Sequence, residues 1–400
     1  MNIAVAQSGG PTCAINASLL GVFKGALNSD KIETVYGSLN GIEGILNNNL
    51  VNLTERIKTN EDMELVKQTP ATLLKSCRYK LPDAEKEPEV YETIRANLEK
   101  NGIGAFFYIG GNDSMDTVNK VSAYFAKVGC DIKVIGVPKT IDNDLMCTDH
   151  TPGFGSAAKY VATTLKEITR DCTVYNLKSV TIIEIMGRDT GWLTAASSVL
   201  HANGEDAPHL IYLPEVKFSE ENFLEDIRNA FEKQNTVIVA VSEGVELENA
   251  DFMSGATDTF GHKYLSGIGK CLENMVRTEI GCKVRSIELN LMQRCSSHVA
   301  SKTDLDEAEM IGTKAVEAAL RGETGKVMTF KRVSNTPYTI EIESANACEI
   351  ANAIKYVPRE WINERGNGLT KDAADYILPL IQGEMDVKYE NGLPKHFKID

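Results

Sequence analysis

The chain has 400 residues and a formal net charge of -14 at pH 7, from 42 Lys and Arg against 56 Asp and Glu. It is 42% hydrophobic and 24% charged, with 31 glycines and 12 prolines, proportions that exclude a collagen, a disordered tail or a disulfide mini-scaffold. The acidic balance argues against nucleic acid or an anionic membrane surface as the main partner, yet a small anion can still enter a locally basic pocket.

The length exceeds one ordinary core, so two domains or one interwound pair are expected. The opening MNIAVAQSGG carries no secretory pattern, and no apolar run approaches the ~18 residues of a membrane span. Nine scattered cysteines, odd in number and never spaced C-x-x-C, read as reduced thiols of a cytoplasmic protein. The six histidines form no H-E-x-x-H pattern, which argues against a transition-metal enzyme.

In chain order, Asn2–Gln7 reads as a buried strand ending in Ser8-Gly9-Gly10-Pro11, with a helical pattern from about Cys13 to Ala26. The stretch around Asn48–Leu81 looks structureless and carries the basic cluster Lys75 to Lys80. A strand at Ala105–Ile109 ends in Gly110-Gly111-Asn112-Asp113-Ser114, and another at Lys133–Val137 ends in Pro138-Lys139-Thr140-Ile141-Asp142-Asn143-Asp144. A helix over Gly155–Asp171 could carry the chain to a second sheet. Strands at Ser179–Ile185 and Thr236–Ser242 follow, ending in Met186-Gly187-Arg188-Asp189 and in Glu243-Gly244. From about Met328 onward, β-like (TPYTIEIES) and helical patterns alternate. Continuous apolar strands separated by helices imply an α/β fold of two doubly wound, mostly parallel sheets, with the site in the cleft between them.

Each of these strands ends in a Gly-rich or carboxylate-rich loop, at the edge of a parallel sheet where ligands bind. Glycine pairs between strand and helix let backbone N–H groups approach a phosphate. A single pair is as readily a bare tight turn; two of them, after two strands, favour a phosphate site. Thr140, Asp142 and Asp144 crowd two carboxylates and a hydroxyl into five residues, an arrangement suited to taking a proton from an attacking hydroxyl. Read alone, the run is better taken as an Asx-rich turn; its place directly after a buried strand, preceded by Lys139, argues the other way. Arg188 offers forked donors to a phosphate monoester, and Glu243, Arg285 and Arg294 stand at or near the ends of strand-like runs.

Taken together and in this order, the loops resemble the phosphofructokinase family over roughly residues 1–330. The resemblance implies phosphoryl transfer to O1 of fructose 6-phosphate, with Mg²⁺ as cofactor. Asp142 would be the general base, with Thr140 and Asp144 beside it. Met186, Gly187, Arg188 and Glu243 would hold the sugar, and Arg285 and Arg294 its 6-phosphate. Gly10, Gly111 and Arg78 would hold the donor phosphates, and Asn112 and Asp113 the metal. In the family one 6-phosphate arginine comes from a neighbouring subunit, which implies a homo-oligomer, a dimer or tetramer. The implied division is a donor-binding domain over 1–155, completed by about 285–330, a sugar-phosphate domain over 156–284, and a C-terminal extension over 331–400 packing on the core.

The donor follows from two positions. ATP-using members have glycine where Asp113 stands, leaving room for the α-phosphate, and the common bacterial ATP enzymes have glycine where Lys139 stands. Asp113 with Lys139 resembles the branch that uses pyrophosphate reversibly. The alternatives are an ATP-dependent 6-phosphofructokinase, which requires Asp113 to turn from the donor channel, and a nucleotide-binding protein without catalysis. Three positions depart from the family: its usual aspartate before Asp113 is Asn112, a frequent histidine is Leu291, and its trans-subunit arginine before Met186 aligns with Ser179.

Overall fold

The computed structural model describes residues 1–247 and 267–399. The apolar runs become strands, buried on both faces at the centre of each sheet and more open at most of the edges. They are β1 (Asn2–Gln7), β2 (Val35–Ser38), β3 (Leu50–Asn52), β4 (Ile103–Gly110), β5 (Lys133–Pro138), β6 (Ser179–Ile185), β7 (Leu210–Tyr212), β8 (Thr236–Ser242), β9 (Lys283–Glu288), β10 (Lys326–Asn335) and β11 (Tyr338–Asn346). A seven-stranded sheet has the order β11-β10-β5-β4-β1-β2-β3, and a four-stranded sheet the order β7-β8-β6-β9. The second is parallel throughout; the first is parallel except at its two edge pairs, β10–β11 and β2–β3.

The two-residue period of a strand divides the first sheet between two cores. Ile3, Val5, Phe107 and Ile109 pack against Leu19, Phe23, Ile311 and Ala315 of the helices Ile15–Leu27 and Lys302–Leu320. Ala4, Ala6, Phe106 and Tyr108 face the other way, onto Tyr91, Ile94, Val118 and Phe125. The second sheet repeats the plan. Ile183, Ile185 and Ile238 meet Phe154, Val161 and Trp192, while Ile182, Val239 and Val241 meet Phe223, Ile227 and Leu272. Helices therefore cover both faces of both sheets.

The helix Phe154–Cys172 carries the chain from β5 to β6, and Lys302–Leu320 carries it back from β9 to β10. Beyond residue 330 the chain first completes the edge of the first sheet with β10 and β11. It then crosses to the second sheet, where Val357, Ile362, Ile377 and Leu380 enter the core around Trp192. The stretch Asn48–Leu81 departs from the expectation of no structure, because it holds β3 and the helices Leu53–Arg56 and Asn60–Gln68. The second helix opens on a capping box: the Thr59 hydroxyl accepts from the Asp62 N–H, and the Asp62 carboxylate accepts from the Thr59 N–H.

Candidate active site

The neighbours β1 and β4 are where the first sheet's connections diverge, toward β2 on one side and β5 on the other. At such a switch point the two following loops part and leave a crevice. Gly9-Gly10 follows β1, and Gly110-Gly111 follows β4 and opens the helix Asn112–Val128. A β-carbon at Gly110 would stand 2.0 Å from the Ser114 hydroxyl oxygen, so no larger residue fits this turn. The result is a backbone cradle at the N-terminus of a 17-residue helix, where unpaired N–H groups and the helix dipole favour an anion.

Lys139 closes the cradle. Its side chain is only 2% exposed, and its ammonium donates to the Gly10 carbonyl at 2.6 Å. Burial pushes the ammonium down to about 8, against the attraction of Asp142 and Asp144 and with help from the repulsion of Arg294. The Ser76 hydroxyl donates to the Gly9 carbonyl at 2.7 Å and ties the basic cluster to the same loop. Arg78 itself is exposed.

The loop after β5 turns on Asn143, whose φ is +53°. The Thr140 hydroxyl accepts from the Asp142 N–H at 3.0 Å and lies 3.4 Å from Asp142 Oδ2. Burial raises the Asp142 carboxyl, while Lys139 and the Thr140 hydroxyl act to lower it. Asp144 rises to about 7, first through burial and then through Asp142. These two carboxylates, with the Lys139 ammonium among them, form a charged group in a low-dielectric cleft.

The second sheet approaches from the opposite side. After β6, Gly187 has φ +138°, and a β-carbon there would stand 2.4 Å from the Thr190 carbonyl oxygen. The Gly187 N–H donates to Glu243 at 3.3 Å, the Met186 N–H donates to Gln293 at 3.2 Å, and the Thr190 hydroxyl donates to the Asp142 carbonyl at 3.2 Å. Glu243 is held up to about 7 by burial. The Arg188 Nε is buried and meets no hydrogen-bond partner, an orphan donor that a ligand oxygen would satisfy.

A family model described as Phosphofructokinase matches residues 2–319. The chain belongs to the phosphofructokinase family. A relative from Halomonas elongata, named pyrophosphate–fructose 6-phosphate 1-phosphotransferase, is 40% identical over all of this chain and 96% of its own. A relative from Alkalicoccus urumqiensis named sulfofructose kinase is 34% identical over 91% of this chain and 93% of its own. The crystal structure of a pyrophosphate-dependent phosphofructokinase from Marinobacter aquaeolei superposes with a TM-score of 0.88 at 37% identity, covering 99% of this chain and 95% of the other.

Contacts and charge interactions bring together Gly10, Gly111, Lys139, Thr140, Asp142, Asp144, Met186, Gly187, Arg188, Glu243 and Arg294. At three positions the structure adds detail to the sequence reading. Arg285 is not at a strand end. It is exposed in the middle of the edge strand β9, opposite Thr181, and shares a small depression with Ser179 and Lys283. Arg294, expected at the sugar phosphate, reaches the donor loop, where its guanidinium lies 3.5 Å from the place of a Gly10 β-carbon. Asn112, expected at the metal, has both ends of its amide engaged by backbone, accepting from the Asn352 N–H and donating to the Ala353 carbonyl, each at 2.6 Å.

Asp113 is exposed in the first turn of its helix and is left as the open carboxylate on the donor side. Among the described residues no three His, Cys, Asp or Glu side chains gather as a metal cage. The donor set fits a hard ion held by one carboxylate and otherwise by phosphate oxygens and water. Sequence reasoning missed Glu215 and Lys355. Glu215 accepts from the Gly191 N–H at 2.8 Å and from the Val357 N–H at 3.1 Å. Isolated polar residues with no motif around them leave no signal of this kind. A groove of about 1010 Å³ between Thr163–Asn176 and Glu205–His209 lies at the other end of the second sheet and holds none of the expected site residues.

Proposed function

We propose that this chain catalyses reversible transfer of a phosphoryl group from pyrophosphate to the 1-hydroxyl of fructose 6-phosphate, giving fructose 1,6-bisphosphate and phosphate, in the cytoplasm and in the service of glycolysis and gluconeogenesis. The observation that carries phosphoryl transfer is Lys139, a buried cation bonded to the donor loop at Gly10 and attracted to the base Asp142.

Asp142 accepts the proton of the 1-hydroxyl as its oxygen bonds to the terminal phosphorus of pyrophosphate. The bond from that phosphorus to the bridging oxygen breaks, and orthophosphate leaves with the electron pair. Thr140 sets the angle of the base, and Lys139 and the backbone of Gly10 and Gly111 neutralise charge on the donor. Arg188 and Glu243 orient the sugar. Mg²⁺, with Asp113 as its protein ligand, supplies charge neutralisation on the diphosphate oxygens. Arg285, exposed in the middle of an edge strand, suits a homo-oligomer in which it reaches the 6-phosphate of a neighbouring copy.

Donor choice rests on Asp113, whose carboxylate fills and charges the space an α-phosphate needs. A coupled assay with Mg²⁺, fructose 6-phosphate and each donor tests the reading: turnover in both directions with pyrophosphate is expected, and turnover with ATP alone overturns it. Sulfofructose as acceptor is the control for the sugar. Asp113→Gly should admit some ATP. Failure of the Asp113→Gly, Lys139→Gly double variant to bind any nucleotide would remove this account of donor choice.

A further inference from the structure

Six residues from beyond the matched family region cross the cleft. Asn352–Val357 have little regular secondary structure, yet they touch the connections that follow four strands of both sheets. After β4, Asn112 exchanges two hydrogen bonds with Asn352 and Ala353, and the Asn352 amide donates to Asp116 at 3.4 Å. After β5, the Lys355 N–H donates to the Asp144 carbonyl at 2.7 Å. The Lys355 ammonium donates to Asn143 Oδ1 at 3.3 Å, to the Thr148 carbonyl at 3.1 Å and to the Asp149 carbonyl at 2.8 Å. After β6, the Trp192 indole N–H donates to the Lys355 carbonyl at 2.9 Å, and the Lys355 ammonium lies 5.3 Å from the Trp192 ring centre. After β7, the Val357 N–H donates to Glu215.

These bonds fall on the residues next to the base. Asn143 stands in the left-handed region at φ +53°, and both ends of its amide are held by the C-terminal part of the chain. Lys355 donates to its oxygen, and its nitrogen donates to the Tyr376 hydroxyl at 3.0 Å. Among the described residues Asp142 is hydrogen-bonded by Thr140 and, at its carbonyl, by Thr190, so the tail supplies the contacts on the loop's far side at Asn143. The ammonium of Lys355 is buried to the point that its affinity for the proton falls to about 8, and a cation is kept there by three carbonyl oxygens.

Asn112 becomes intelligible in the same terms. An aspartate at this position would set a carboxylate oxygen against the Ala353 carbonyl, because it has no N–H to donate. The amide accepts at one end and donates at the other, which is what the crossing backbone requires.

We propose that Asn352–Val357 is a strap that positions the catalytic loop across both sheets, that Lys355 is its principal positioning residue, and that Asn112 is an amide in order to hold it. The inference rests on Asp142 being the base, and hydrogen exchange is read without turnover, so failure of the strap and failure of that assignment are distinguishable.

Lys355→Met is expected to lower kcat about a hundredfold while both KM values stay within about threefold, since binding groups remain and only the base is misplaced. A kcat within twofold of the unaltered protein, or a change confined to KM, overturns the proposal. Asn112→Asp tests the other end and separates the strap from metal ligation. If the carboxylate served the ion, turnover at low Mg²⁺ would rise. The strap instead predicts that amide exchange at Lys355 and Val357 accelerates at least about tenfold and that turnover falls. Unchanged exchange, or unchanged or higher turnover, overturns it.

Discussion

The two sheets build their ends of the cleft in opposite ways. In the first, the loops after β1, β4 and β5 are locked within the chain: Lys139 to Gly10, Ser76 to Gly9, Thr140 to Asp142, and Gly110 against Ser114. In the second, among the described residues, Arg188 keeps a buried donor unmatched, the Glu243 carboxylate accepts at 3.3 Å from the Gly187 N–H, and Arg285 is exposed on an edge strand. A rigid, prepaid electrostatic cradle suits a small, highly charged donor, whose transfer depends on placement and charge neutralisation. The looser half suits a larger acceptor that brings its own hydrogen-bonding groups and, on our reading, a neighbouring copy's arginine.

The largest effect is expected where the two halves meet. Asp142→Ser removes the base and should lower kcat by about 10²- to 10⁴-fold with the fold intact, measured as turnover alongside a thermal midpoint. Near-normal turnover would assign the proton to another group. The asymmetry sharpens at Arg285: Arg285→Ala should raise KM for the sugar phosphate about tenfold or more and leave KM for the diphosphate unchanged. Mixing it with Asp142→Ser subunits should restore part of the lost activity, because some interfaces then pair an intact arginine with an intact base. No recovery on mixing would return Arg285 to its own chain.

The pH profile separates the carboxylates from the donor cation by sign. On the acid side, Asp142, raised by burial, and Glu243, held up to about 7, gain protons as pH falls, so activity declines there. On the alkaline side Lys139, lowered to about 8, loses its charge as pH rises, weakening donor capture. A narrow bell in kcat/KM for the free enzyme is expected, with the alkaline limb moving upward in kcat because bound diphosphate favours the charged lysine. Lys139→Met should remove that limb. The smallest effect is at Ser76→Ala, which deletes one hydrogen bond to the Gly9 carbonyl and should weaken diphosphate binding by about 1 kcal/mol, a factor of about five.

How much of this was legible beforehand depended on whether the signal was local. β6 and β8 have the boundaries read from Ser179–Ile185 and Thr236–Ser242, because a strand buried on both faces is a continuous apolar run with polar ends. The first helix begins at Ile15, two residues later than its apolar pattern suggests, because the Thr12 hydroxyl accepts from the Ala14 and Ile15 N–H groups and holds the turn before it. The helix Asn60–Gln68 was overlooked although Thr59 and Asp62 announce it, since its mean hydropathy is low and its polar face dominates.

The sequence by itself determined the two parallel sheets, the loops at their carboxyl ends and the residues that carry charge in them, because hydrophobic period and glycine placement act over a few residues. Tertiary structure alone decided that Arg285 is exposed in the middle of an edge strand, that Arg294 leans on Gly10, and that Lys355 and Asn112 hold a strap across the site. Those depend on contacts between residues far apart in the chain, as in the bond from Asn112 to Ala353 across 241 positions. No local pattern encodes such a contact. It exists only once the two sheets have been brought together and the tail has been laid across the loops of both.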